Sequence, residues 1–154
     1  MPIFPVCREM RRRVYLIDTN VISEIRKGNA ANSGVMAFLR HCAEQDVRVW
    51  LSVVTVGELR RGVDLVRQRG DLPQARRLEA WLETVLRDYH DCILPFDLDA
   101  ALVWGWLRVP WPENVLDKQI AATALIHDLT VVTRNTDDFA RTGVRLLNPF
   151  SQDD

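Results

Sequence analysis

Short apolar runs alternate with amphipathic helical stretches, which predicts an α/β fold: a central, mostly parallel sheet of four or five strands flanked by helices, with a protruding αα-hairpin. Three observations carry this. Runs rich in β-branched and aromatic residues recur at 14–17, 49–53, 93–96 and 130–133, each too short for a helix. Stretches of helical period separate them, as crossovers between parallel strands require. The first run, Val14-Tyr15-Leu16-Ile17, is apolar throughout, the pattern of a fully buried strand, and it runs straight into a carboxylate, Asp18.

An Asp is a poor strand former, so Asp18 marks the point where the chain leaves the sheet, with Thr19 and Asn20 turning it toward a helix. Residues 21–27 read as that helix, stopped by Gly28. Asn32-Ser33 can cap a second helix reaching about residue 45, with Val35, Phe38, Leu39 and Cys42 at helical spacing. After the second strand, Thr55 starts a third helix, with Val56, Leu59, Val63 and Val66 on one face and Arg60, Arg61, Arg67 and Arg69 on the other. It stops near Gly70; Asp71-Leu72-Pro73 is turn chemistry, and a fourth helix buries Leu78, Trp81, Leu82, Val85 and Tyr89. These two helices form the hairpin, expected to project as an arm or dimerisation surface. Asp97 can cap a helix over 98–107 that Pro110-Trp111-Pro112 breaks. Residues 115–127 form the next, with Ile120, Ala121, Ala124 and Leu125 inward; 136–141 read as a helical turn and 144–147 as an edge strand.

The chain of 154 residues is one domain by size, enough to bury roughly 70% of its unfolded surface. Its division is a basic flexible leader (1–13), the α/β domain (14–150) and a polar tail (151–154). Met10, ahead of three arginines, is a second candidate start. The leader places its charges after its weakly apolar part, the reverse of a secretory signal, and no apolar run is long enough to span a bilayer. Twenty basic and 21 acidic residues give a net charge of −1, which argues against bulk electrostatic binding of nucleic acid but leaves room for a local arginine patch. Cys7, Cys42 and Cys92 form no CxxC pair, which fits a reducing, cytoplasmic setting and excludes a cysteine-built zinc site.

Four carboxylates carry the candidate chemistry. Asp18 ends the first strand, where ligands bind in open parallel sheets; the competing reading is a helix N-cap. Glu58 lies in the turn delivered to the same edge by the second strand, but Thr55-Val56-Gly57-Glu58 also matches a capping box. Asp117 falls in the first turn of a helix that runs back antiparallel to the next strand, so it too starts at that edge, where the macrodipole favours an acid in any case. Asp138 follows the fourth strand, with Asp137 as its rival. Each is explicable singly. Together they crowd one edge, where two like charges about 5 Å apart repel by roughly 3 kcal/mol at an effective dielectric near 20. Such a cluster takes up protons or binds a cation, and an all-oxygen donor set selects a hard ion, Mg²⁺ or Mn²⁺, suited to a phosphate ester.

The runs Leu16-Ile17-Asp18-Thr19-Asn20, Ser52-Val53-Val54-Thr55-Val56-Gly57-Glu58-Leu59-Arg60-Arg61-Gly62, Asp117-Lys118-Gln119-Ile120-Ala121-Ala122-Thr123-Ala124 and Thr133-Arg134-Asn135-Thr136-Asp137-Asp138-Phe139 resemble, in order, the motifs of PIN-domain ribonucleases, and most of all the VapC toxins of toxin–antitoxin pairs. The resemblance spans about residues 14 to 150. It implies Asp18, Glu58, Asp117 and Asp138 as catalytic metal-binding acids, with Thr19 or Thr133 and Asn135 orienting ligands and water. It also implies a metal-dependent endoribonuclease that hydrolyses RNA phosphodiesters by metal-activated water, a VapB-like antitoxin partner and a homodimer. The doubled Asp137-Asp138 departs from the family pattern.

Of the remaining candidates, His41, His90 and His127 share no ligand spacing. Trp104 and Trp106 cannot share one helix face, so one of the cluster with Trp111 is expected to meet a partner. Arg60 and Arg61, set beside the acids, could track RNA phosphates or simply form a solvated face. Two other function classes fit an acidic strand end. A haloacid-dehalogenase-type phosphatase wants a second Asp where Asn20 stands, and a Mg²⁺-binding regulatory module would use one Asp as phosphoacceptor.

Overall fold

A computed structural model describes residues 13–152. Five strands, β1 (Arg13–Ile17), β2 (Arg48–Ser52), β3 (Ile93–Leu94), β4 (Thr130–Val132) and β5 (Leu146–Leu147), form one sheet in the order β3-β2-β1-β4-β5. All four pairings are parallel. β1 is central: Leu16 lies opposite Trp50 on one side and Val131 on the other. The chain builds outward from β1 to β3 and then returns to the other side of β1. The crevice outside the ends of β1 and β4 is therefore the switch point at which such sheets bind ligands.

Six α-helices cover the sheet among the described residues: α1 (Thr19–Ile25), α2 (Ser33–Glu44), α3 (Val53–Gln68), α4 (Leu72–Asp88), α5 (Leu98–Leu107) and α6 (Val115–Ile126). Successive strand residues point to opposite faces, which divides the core in two. Leu16, Trp50 and Val131 pack with Leu107 of α5, Ile120 and Ala124 of α6, and Phe139. Their neighbours Ile17, Leu51 and Val132 pack with Val21, Ile22, Val35, Leu59, Val63, Leu82 and Val85 from α1 to α4. The unbroken apolar run at the head of the chain is thus explained by helices on both faces. The α3–α4 hairpin sends four of these side chains into the core, while its tip from Gln68 to Pro73 is exposed.

Two boundaries differ from expectation. Strand pairing already includes Arg13, and the expected leader otherwise lies outside the described residues. At the other end the polar tail is pinned. Asn32 Oδ1 caps α2 through the Gly34 and Val35 N–H groups, and it also accepts the Ser151 N–H at 3.0 Å. The tail crosses so closely that a Cβ on Gly34 would clash with the Pro149 carbonyl oxygen. Cys42 is buried, and burial raises its thiol pKa, as expected of an inert core cysteine.

Candidate metal centre

Asp18 stands at the end of β1, 4% exposed, and is held from two directions. Oδ1 accepts the Thr19 N–H at 2.7 Å, which makes Asp18 the N-cap of α1. Oδ2 accepts the Thr133 hydroxyl at 2.8 Å, just beyond β4. The Thr133 oxygen in turn accepts the Asn135 N–H at 3.0 Å and the Asn20 amide at 3.2 Å. Burial raises the Asp18 pKa; the Thr133 and Thr19 hydrogen bonds pull it back, and the charge of Asp138 pushes it up. The capping and site readings of Asp18 are compatible, since each oxygen serves one of them.

Asn20 was missing from the expected positioning groups, although it stands in the first motif. Its amide reaches Asp18 Oδ2 at 3.4 Å, and its carbonyl oxygen accepts the Arg134 N–H at 3.2 Å. Its place two residues after Asp18, in the first turn of α1, was the available signal. Thr19 faces the opposite way, with its hydroxyl 3.5 Å from that of buried Thr55.

The capping-box reading of Glu58 fails. α3 starts at Val53, two residues earlier than expected, with Ser52 as its cap through a 3.0 Å bond to the Val54 N–H. Thr55 is inside the helix, and Glu58 lies in its second turn, beyond reach of the cap's own N–H. With that role removed, its half-buried carboxylate is near enough for its charge to act on Asp117.

Asp117 occupies the first turn of α6, whose cap Asn114 has φ +55° and makes no side-chain capping bond. The Asn114 amide extends instead toward the Asp138 carbonyl at 3.5 Å, tying the start of α6 to the turn after β4. Burial and the charges of Asp18, Asp138 and Glu58, in that order, raise the Asp117 pKa to about 6. Asp137 contributes to neither Asp18 nor Asp117 and is exposed, whereas Asp138 is half-buried and acts on both. The chain fold itself therefore separates these neighbours.

A PIN-domain family model matches residues 15–145. The chain belongs to the PIN-domain family. Among curated relatives, Toxin FitB of Neisseria gonorrhoeae is 37% identical over 143 residues, covering 88% of this chain and 97% of FitB. VapC ribonuclease Y4jK of Sinorhizobium fredii is 34% identical over 142 residues, covering 88% and 96%. The crystal structure of FitAcB from Neisseria gonorrhoeae is similar with a TM-score of 0.76, at 37% identity, covering 88% of this chain and 98% of that one.

In this PIN domain the four candidate acids, Asp18, Glu58, Asp117 and Asp138, come from four separate segments and offer only oxygen. Among the described residues no three His, Cys, Asp or Glu side chains are gathered tightly enough to chelate an ion by themselves. The acids are near enough for their charges to act on Asp117, and carboxylate oxygens are the donor type that a hard cation takes.

The arginine face is only partly available. Arg60 binds Asp64 at 3.0 Å and Glu79 at 2.8 Å, and Arg67 binds the same two acids, a four-membered network that clamps α3 to α4. Arg61 is exposed and outside that network. Lys118, next to Asp117, is buried with its ammonium on the Trp111 carbonyl, a structural role the sequence did not suggest.

Proposed function

We propose that this PIN domain is a divalent-metal-dependent endoribonuclease of the VapC type, the toxin of a toxin–antitoxin pair. One observation carries the reading: the carboxylates of Asp18, Glu58 and Asp138, from three other segments, act on Asp117 at the switch point of a parallel sheet. Asp18, Glu58, Asp117 and Asp138 would hold Mg²⁺ or Mn²⁺. A hard ion there supplies positive charge for the phosphate and acidifies water. The protein's own share is positioning. Thr133 and the Thr19 N–H fix the Asp18 carboxylate, and Asn20 and Asn135 lock Thr133 in turn. Without an ion, burial and the neighbouring carboxylates raise the Asp117 pKa to about 6, and a bound cation would relieve that repulsion and favour the ionised carboxylate. Names such as toxin and VapC ribonuclease among its relatives support the assignment. A cytoplasmic location follows from this reading, since RNA and an antitoxin partner would meet the enzyme there, and among the described residues no helix is long and apolar enough to cross a membrane.

A VapB-like antitoxin would hold the enzyme off, with a basic side chain against the anionic crevice. We assign the homodimer contact to α5 rather than to the hairpin. Leu98, Leu102 and Trp106 recur at four-residue spacing on one face, Trp106 at 74% exposed, and Val109 prolongs the stripe. Trp104 instead turns inward and donates to the Val115 carbonyl at 3.1 Å. A charge-free stripe is matched best by a copy of itself across a twofold axis.

Labelled RNA and a phosphomonoester, each incubated with Mn²⁺ and with EDTA, test the activity. RNA fragments that vanish with EDTA support the nuclease. Release of inorganic phosphate alone would transfer the site to the phosphatase class.

A further inference from the structure

A polar cleft of about 530 Å³ opens between the end of α1, the start of α2 and Arg134, two residues beyond β4. We infer that it receives a nucleotide of single-stranded RNA flanking the scissile phosphate, with Arg134 as the phosphate or base contact. This rests on the nuclease reading and adds a substrate subsite to it.

Placement comes first. Asn20, bonded to Asp18, also binds the Arg134 backbone, so Arg134 leaves the catalytic crevice at a fixed point. Glu24 in the cleft wall follows Asn20 by one turn of α1, about 6 Å along the axis. A chain with one phosphate on the acids thus meets the cleft with its neighbouring residue. The volume lies within the range of small-ligand pockets, roughly 300–1,000 Å³.

Charge agrees. Lys27 and Arg134 face a single acid, Glu24. Glu24 is already satisfied: Lys27 pairs with it at 2.8 Å, and its other oxygen accepts the Asn32 N–H at 2.8 Å. The pair cancels, leaving the positive charge of Arg134. Its guanidinium lies 3.9 Å from the centroid of the Phe150 ring, and its charge acts on Glu24 only as the weakest of the influences there. The exposed Asn29 amide adds donors and an acceptor at the cleft edge. A planar cation, an amide and a cleft near the acids suit a nucleotide.

The test uses a fluorescein-labelled twelve-residue RNA of random sequence. Wild-type protein with Mn²⁺ is checked for cleavage, and binding is read by anisotropy in an Asp117→Asn background. Arg134→Glu should weaken binding about tenfold or more and Arg134→Gln by several-fold, while the charge control Arg87→Glu on α4 stays within about twofold. Equal losses for Arg134→Glu and Arg87→Glu would reduce the effect to net charge and overturn the subsite. Unchanged binding of Arg134→Glu beside a cleaving wild type overturns the subsite and leaves the nuclease standing. A wild type that leaves RNA intact removes both. Retained RNA binding with loss of a protein partner would reassign the cleft and equally overturn the inference.

Discussion

The Thr133 hydroxyl donates to Asp18 Oδ2 at 2.8 Å, joining residues 115 positions apart at the ends of neighbouring strands. This bond fixes the carboxylate at the switch point, and Thr133 also serves Asn20 and Asn135. Thr133→Val keeps the shape and removes the hydroxyl, leaving buried groups unsatisfied at a cost of about 1–3 kcal/mol. Thr133→Ser should retain stability and most cleavage; urea titration of both variants beside an RNA cleavage assay checks the contrast.

Asp117 makes a less intuitive prediction. Its folded pKa of about 6 exceeds the ordinary 3.8, so between those values the folded protein holds a proton that the unfolded chain has lost. Stability of the metal-free protein then falls as pH rises from 4 to 6, and the full penalty persists above 6. A shift of two units corresponds to about 3 kcal/mol, reduced by solvent screening at this half-buried site to on the order of 1–2 kcal/mol. Asp117→Asn should abolish cleavage yet raise the metal-free Tm by a few degrees at pH 8, with the gain disappearing near pH 4. A lower Tm at pH 8 would contradict the crowding of negative charge around Asp117.

Asn32 joins the cap of α2, the backbone of the tail and, through its N–H, Glu24. Asn32→Ala removes the cap and a tail anchor together, for an expected loss of about 2 kcal/mol. Gly34→Ala would push against the Pro149 carbonyl and cost about 1–3 kcal/mol. Limited proteolysis should release the tail in both variants before the domain unfolds.

On α3, Arg60 and Arg61 should separate. Arg60 is committed to Asp64 and Glu79, so Arg60→Ala should loosen the hairpin slightly and change RNA affinity little. Arg61→Ala should weaken RNA binding and lower its salt slope by about one. An unchanged slope removes Arg61 from the footprint.

Trp106→Glu places a charge in the exposed α5 stripe and should yield a folded monomer by light scattering. A variant that still dimerises would return the contact to the hairpin.

Much was legible along the chain because it depends on neighbours in sequence. The unbroken run before Asp18, the caps at Asn32 and Asp97, and the hairpin turn at Gly70 all express local period or φ preference. Local sequence leaves the start of α3 open because Ser52 and Thr55 are both competent caps, and the structure uses Ser52.

By itself, then, the sequence determined the parallel α/β class and pointed to Asp18, Glu58 and Asp117 as candidate acids with Asp137 or Asp138 as the fourth, since pattern and residue type suffice for that much. The tertiary structure alone decided that Asp138 rather than Asp137 turns inward, that Glu58 is free of a cap, and that Arg60 is held by Asp64 and Glu79. Each of those depends on which side chain a distant segment faces, and facing is set by long-range packing that no local spacing encodes.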